Sequence, residues 1–303
     1  MELSAPESTD GGVCMNDSKV FQPTSLGDLM KIYQDYPQAL LLAGGTAIAR
    51  EQKGDGPFEL PNIILHINRI SELQRISRTE RYFEIGSCVP ISRILKVGQH
   101  VLPKVFTHAL HNIAHPAVRN MGTIGGNLAH QPRRLNTFGP LTILDARVEL
   151  RKSGNSRWVQ IPRLFTKAGD PALEPGELIS RIRIPFVDWN LQFYQRIGDP
   201  FTKPKSSITF TALTDVKKGE ITDFRGAFTF LGKSFLRDRE LETLITGKKV
   251  PLSERIRSEA RSLFRSALME LPGEVTLFQK QRALRLLQWY LSALHEPTSE
   301  LMY

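Results

Sequence analysis

The stretch Asn120 to His130, NMGTIGGNLAH, is small, glycine-rich and conformationally specific. Glycine has no Cβ, so the backbone there takes positive φ readily and comes close to a ligand. Successive backbone N–H groups in such a turn form a concavity suited to an anion. Taken alone, the Gly125–Gly126 pair fits an ordinary tight turn equally well. A second pair upstream shifts the balance. Gly44-Gly45-Thr46 follows the apolar run Ala39 to Ala43, the layout of a buried strand feeding a glycine turn. That layout presents backbone donors to a phosphate. The spacing G-x-G-x-x-G is absent, which argues against the Rossmann route to a dinucleotide. Cys14 and Cys88 are the only cysteines. They exclude a disulfide scaffold and an all-cysteine iron–sulfur or zinc site within this chain, and they fit a reducing compartment.

The elements that must hold these segments follow from apolar spacing. Thr24 or Ser25 caps a helix with Leu26, Leu29, Met30 and Tyr33 on one face. Ala39–Ala43, Ile63–Ile67 and Tyr82–Ile85 read as strands, and Ile91–Val97 as a short amphipathic segment. Phe106, Ala109, Leu110, Ile113 and Ala114 keep helical spacing, and Pro116 is expected to end that helix. Pro140–Leu144 reads as a short helix and Val148–Leu150 as a strand; Ile161–Phe165 and Leu178–Pro185 are shorter apolar pieces. Composition changes near Val187 to Pro204. Beyond it, Ile208–Val216 alternates as a half-buried strand does, Lys217-Lys218-Gly219-Glu220 is a turn, and Ala227–Leu231 is a second strand. Leu252, Ile256, Ala260, Leu263, Phe264, Ala267 and Leu271 form one helical stripe. Thr276 with Gln279 is a capping-box pattern before a helix carrying Leu284, Leu287 and Leu291.

A length of 303 residues favours two domains, divided here near residue 190. Residues 1–19 are polar and read as a flexible tail, without the basic start and apolar core of a signal peptide. The net charge of +9 suits an acidic partner or a phosphate-bearing ligand. The basic residues look scattered rather than gathered with aromatics, so nucleic acid is not expected as a partner. No apolar run approaches a membrane span, and a cytoplasmic location is the simplest expectation.

Several segments together resemble the FAD-binding medium subunit of the molybdenum hydroxylases, the xanthine dehydrogenase, aldehyde oxidase and carbon monoxide dehydrogenase family. LLAGGTAIA (Leu41–Ala49) resembles that family's first flavin segment, and IAHPAVRNMGTIGGNLAH (Ile113–His130) the second and most specific. LTILDARVEL, PGELISRIRIP and the Gly-Ala-Phe-Thr-Phe-Leu-Gly stretch from Gly226 follow in the family's order. The likeness runs from about residue 20 to the C-terminus. It implies an α+β fold: a two-lobed FAD-binding domain of the vanillyl-alcohol-oxidase (PCMH) type over 20–189 and a smaller sheet-and-helices domain over 190–303. It implies FAD as cofactor. It also implies a small [2Fe–2S] subunit and a large molybdopterin subunit as partners in a heterotrimer of xanthine dehydrogenase type, with NAD or another acceptor taking the electrons.

By the same resemblance, Leu42, Ala43, Gly44, Gly45 and Thr46, continued by Ala47 and Ile48, lie along the FAD pyrophosphate. Thr123, Ile124, Gly125, Gly126 and Asn127 make a second wall, with Asn127 able both to donate and to accept. Ile113 and Ile179 would pack near the flavin ring, although both also suit a hydrophobic core. Arg196, in FYQRIG, stands in the place of a family lysine, where a fixed cation stabilises reduced flavin. Arg119 suits a phosphate contact or a helix-end charge equally. The family's acidic residue after AGGT is Ala47 here, and its usual Asp nine residues past the motif asparagine is Asn136, which keeps hydrogen bonding without charge. Arg133 and Arg134 stand where the family is small or acidic and read as solvated loop. His115 and His130 read as structural, since flavin electron transfer needs no acid–base pair. The two departures leave an alternative open: a flavin-free scaffold holding the other two chains together.

Overall fold

The computed structural model describes residues 18–51, 60–129, 136–165, 172–199, 206–230 and 234–294. His130, Arg133, Arg134 and nearly all of the N-terminal tail lie outside them. The chain opens with β1 (Lys19–Phe21), α1 (Leu26–Asp35), β2 (Leu40–Leu42), α2 (Thr46–Glu51) and β3 (Ile63–His66). Ser25 is the cap of α1: its hydroxyl accepts from the Asp28 amide at 3.1 Å and satisfies one of the first-turn donors. Leu29, Met30 and Tyr33 are buried on one helix face and pack with Leu65 and Ile67. β1 and β2 both pair parallel with β3, in the order β1-β3-β2.

A second layer follows: β4 (Ile76–Arg78), β5 (Tyr82–Gly86), α3 (Ile91–Gly98), α4 (Lys104–His111), α5 (Pro116–Met121), α6 (Ile124–Ala129), α7 (Phe138–Ile143), β6 (Arg147–Lys152), β7 (Asn155–Gln160) and β8 (Leu178–Pro185). Its strands form an antiparallel sheet in the order β4-β5-β8-β6-β7. Ile85, Ile182 and Val148 point from one face into a core closed by Ile94, Phe106, Ile124 and Leu141 of the helices. The opposite face gathers cations that look scattered in the sequence. The Arg183 guanidinium sits 3.9 Å from the Trp158 ring centre and 4.7 Å from that of Tyr82. Arg181 pairs with both Glu84 and Glu149.

Glu149 is the buried acid of that face. Burial pushes its carboxyl up, but the Ser180 hydroxyl at 2.6 Å and the charges of Arg181 and Arg151 outweigh burial, and the net shift is downward. A value lower in the folded state than in the unfolded chain stabilises the fold above the ordinary value of 4.5, and that stabilisation is lost as pH falls through the folded value. Unfolding free energy should therefore hold steady from neutral pH to about pH 5 and drop below about pH 4. In Glu149→Gln the drop should be shallower, which urea titrations at several pH values measure.

One helix differs from expectation. α4 ends at His111, and Pro116 opens α5 at its first helical position rather than ending the helix before it. The missing proline N–H costs nothing at that position.

The third layer holds β9 (Leu191–Ile197), β10 (Ile208–Lys217), β11 (Glu220–Phe230), β12 (Phe235–Leu236), α8 (Arg239–Ile245), α9 (Glu254–Met269) and α10 (Leu277–Ala293). The sheet order is β12-β11-β10-β9. Lys218 (φ 52°) and Gly219 (φ 73°) make the hairpin turn between β10 and β11. β10 is not half-buried as its alternation suggests; it is covered on both faces. Ile208, Phe210 and Ala212 join the core under α9 and α10, while Leu213 joins the core of the second layer. Two of its threonines are satisfied internally: Thr211 donates to the Ala227 carbonyl, and Thr214 shares a 2.7 Å bond with the Tyr290 hydroxyl. The capping box of α10 is complete, with Thr276 and Gln279 bonded reciprocally. α4 lies against the edge strand β9, and the Val105 amide donates to Gln192 Oε1 at 3.2 Å. Among the described residues no helix is long and apolar enough to cross a membrane.

Candidate functional site

The two glycine segments meet. A methyl group on Gly44 would overlap the carbonyl of Met121, the residue that ends α5. A methyl group on Gly122 would sit 3.3 Å from Thr46 Oγ1. The approach at Gly44 requires a residue without a Cβ, while Gly122 faces a tight contact only.

The first segment leaves its donors open. Gly45 has φ 68°, a left-handed conformation that turns the chain from β2 into α2. Among the described residues no acceptor meets the amides of Gly44, Gly45, Thr46 or Ala47. The first turns of α2 and α6 carry no acidic side chain that would repel an anion. Ala47 contributes to that: the family's carboxylate is absent and the amide remains. Leu42 and Ile48 are half-buried beside the turn. The Ala43 carbonyl is held by Asn68 Nδ2 at 3.0 Å, which fixes the strand end.

The second segment is built differently from a glycine turn. Gly125 and Gly126 lie within α6, and neither has positive φ. Thr123 caps this short helix, its hydroxyl accepting from the Gly126 amide at 3.1 Å. The Ile124 amide donates to Val89, the Gly125 amide to Ser87 and the Asn127 amide to Thr123. The first two hold the helix against the loop after β5 and the third closes its own first turn, so the expected row of free amides belongs to the first segment alone. The glycines divide the work. Gly125 is buried, and a methyl there would come 2.6 Å from Ser87 Cβ. Gly126 is exposed, and among the described residues a methyl there would meet only Thr123 Oγ1, at 3.0 Å. Asn127 Oδ1 accepts from the buried Thr137 hydroxyl at 2.6 Å, leaving its Nδ2 as the available donor. Asn136, beside Thr137, is half-buried and makes no hydrogen bond among the described residues.

The remaining candidates lie farther along the fold. Ile113 and Ile179 are both 7% exposed and belong to the core of the second layer. Arg119 is a helix-end charge: its Nη1 lies 3.1, 2.8 and 2.6 Å from the carbonyls of His111, Ile113 and Ala114, just past α4. Arg196 reaches the same turn and donates to the Asn112 carbonyl at 2.7 Å. His115 is exposed at the start of α5. Tyr194, two residues before Arg196, escapes sequence reasoning. Burial pushes its phenol up to about 12, against the opposing effects of the Arg196 charge and the Thr209 hydroxyl. Cys88 is buried with its thiol also pushed up to about 12 by burial, so it is an inert packing residue. Among the described residues no cluster of His, Cys, Asp or Glu could hold a metal ion.

An open row of amides, a bare backbone approach and first helical turns without acidic side chains fit the pyrophosphate of a dinucleotide. Comparison with known proteins points to the cofactor. Residues 15–187 match the family described as the FAD binding domain in molybdopterin dehydrogenase. The chain is 29% identical over 184 residues to the nicotinate dehydrogenase FAD-subunit of Eubacterium barkeri, covering 57% of this chain and 60% of that protein. It is 29% identical over 164 residues to the xanthine dehydrogenase FAD-binding subunit of Escherichia coli O157:H7, covering 53% and 55%. The matched part thus spans little more than half the length of these curated relatives. In fold, the chain is similar to a chain of carbon monoxide dehydrogenase from Hydrogenophaga pseudoflava, with TM-score 0.75 at 22% identity over 91% of this chain and 94% of the other. The family match covers more than half of the sequence: the chain belongs to the FAD-binding domain family of the molybdopterin dehydrogenases, and FAD is its cofactor.

Proposed function

We propose that this protein is the electron-transfer flavoprotein subunit of a molybdenum hydroxylase of xanthine dehydrogenase type. Its partners are a small [2Fe–2S] chain and a large molybdopterin chain. When bound, FAD supplies the relay itself, taking electrons from the clusters of the small chain and yielding them to NAD or another acceptor. The protein supplies binding, orientation and electrostatics. One observation supports this most: the amides of Gly44 to Ala47, which meet no acceptor among the described residues, stand where Gly44 meets the end of α5. In this reading those amides hold the pyrophosphate, Gly126 leaves room beside it, and Asn127 Nδ2 donates from the opposite wall. Thr137 positions Asn127 by occupying its oxygen. The Ala47 departure is compatible with a bound flavin, because its amide meets no acceptor among the described residues and its methyl adds no charge.

Titrating the purified chain with FAD should quench flavin fluorescence to saturation at one equivalent and give a yellow protein. The chain alone should not oxidise an organic substrate; adding both partner chains should restore oxidation. Correctly folded protein that stays colourless in excess FAD would favour the scaffold instead.

A further inference from the structure

The turn between α4 and α5 has a distinctive arrangement. Each carbonyl from His111 to Ala114 accepts from a guanidinium group. Arg119 takes those of His111, Ile113 and Ala114, and Arg196 takes that of Asn112. The last carbonyls of a helix have no intrahelical donor and carry the negative end of its dipole, so they attract cations. Within this turn Ala114 has φ 39°, in the left-handed region. Helix ends that need this conformation usually place glycine or asparagine there, since a Cβ makes it strained. An alanine stays in it only when its surroundings impose it.

The turn leads directly to the site. α5 starts two residues after Ala114 and ends at Met121, whose carbonyl Gly44 packs against. Arg119 belongs to α5 itself. Arg196 belongs to β9 in the four-stranded sheet, and Gln192 on the same strand holds the Val105 amide at the other end of α4. β9 therefore grips α4 at both ends.

We propose that Arg119 and Arg196 are positioning residues for the flavin site. They hold Ala114 in its left-handed conformation, and so keep α5 and the Met121 carbonyl seated on Gly44. The proposal rests on the two-segment FAD site described above. It gives Arg196 a task in which its charge is spent on a backbone carbonyl, and it makes the four-stranded sheet a support of the site.

The test uses the full chain with FAD. Arg196→Gln and Arg119→Gln are each made with and without Ala114→Gly, and Gly126→Ala is measured alongside. Readouts are the FAD dissociation constant, the midpoint potential of bound FAD and the thermal unfolding midpoint. Arg196→Gln and Arg119→Gln should each weaken FAD binding about 10-fold or more. Adding Ala114→Gly should recover most of that loss, because glycine reaches the required φ without the clamp. The potential of the bound flavin should stay at the parent value. Weakened binding that Ala114→Gly does not rescue overturns the proposal, as does unchanged affinity with a more negative potential, the mark of a cation acting on the flavin itself. Should Arg119→Gln fail to fold, the Arg196 pair carries the same test from the other sheet. Unchanged affinity in Gly126→Ala would instead sink the two-segment site, and the clamp's role with it.

Discussion

Gly126→Ala is expected to weaken FAD binding by about 100-fold, roughly 2.7 kcal/mol, with little change in stability. Gly126 is exposed, and among the described residues an added methyl would meet only Thr123 Oγ1, at 3.0 Å. It sits in a helix, where alanine is favoured over glycine by about 1 kcal/mol, which offsets that tight contact. The fold should therefore accept the methyl, and the cost should fall on whatever lies beside the exposed face. Gly125→Ala is the contrasting case. Its methyl would lie 2.6 Å from Ser87 Cβ and 2.8 Å from the Ser87 carbonyl, the same oxygen that the Gly125 amide already donates to. Neither neighbour is a flexible side-chain end. Overpacking of this kind typically costs about 1–3 kcal/mol, so this variant should lose stability as well as FAD. Flavin titration with calorimetry on both variants separates the two roles. A Gly126→Ala protein that binds FAD like the parent, or melts like Gly125→Ala, would contradict the assignment.

The difference between the two glycines was not legible in the sequence. A glycine pair signals a turn. Here Thr123 supplies a cap and Ser87 and Val89 supply acceptors, and together they draw the pair into a helix. The Ser87 contact depends on how the loop after β5 folds back, which no local pattern encodes. Gly44 to Thr46 was easier. An apolar run, a left-handed glycine and a short helix follow one another in the chain, so local rules place all three. α4 shows how tertiary contacts override propensity. Its apolar spacing continues to Ala114, but the helix stops at His111, where guanidinium groups take the carbonyls of the turn. The Arg196 contact joins residues 84 positions apart, so resemblance could name the residue but not its partner. β10 reads as half-buried because threonine counts as polar in an alternation. A threonine whose hydroxyl bonds within the sheet can instead face a second core, and Thr211 does so.

The largest effect on stability is expected at Glu242. Its side chain is 8% exposed, and that of Arg237 is 6% exposed. The carboxylate accepts from Arg237 Nε at 2.7 Å, Arg239 Nη1 at 2.8 Å and the Gly226 amide at 3.2 Å. Arg237 in turn donates to the Thr142 carbonyl at 3.0 Å and faces Asp145, at the end of α7. The network thus ties α8 and β11 of the third layer to α7 of the second. Glu242→Ala strips a buried guanidinium of its nearest countercharge and leaves the Gly226 amide without an acceptor. Breaking a buried pair from one side typically costs about 3–5 kcal/mol. Glu242→Gln keeps an acceptor for the amide and should cost less. Replacing both partners, Glu242→Leu with Arg237→Met, should recover much of the loss, because apolar groups of similar size remove the desolvation cost of both charges together. Urea unfolding of the three variants gives the ordering directly. A loss below about 1 kcal/mol in Glu242→Ala would mean that solvent already screens the pair, as it does at a protein surface. The effect should also reach the flavin site. α7 follows Thr137, whose hydroxyl fixes Asn127, so loosening its far end should weaken FAD binding in Glu242→Ala and restore it in the apolar double variant.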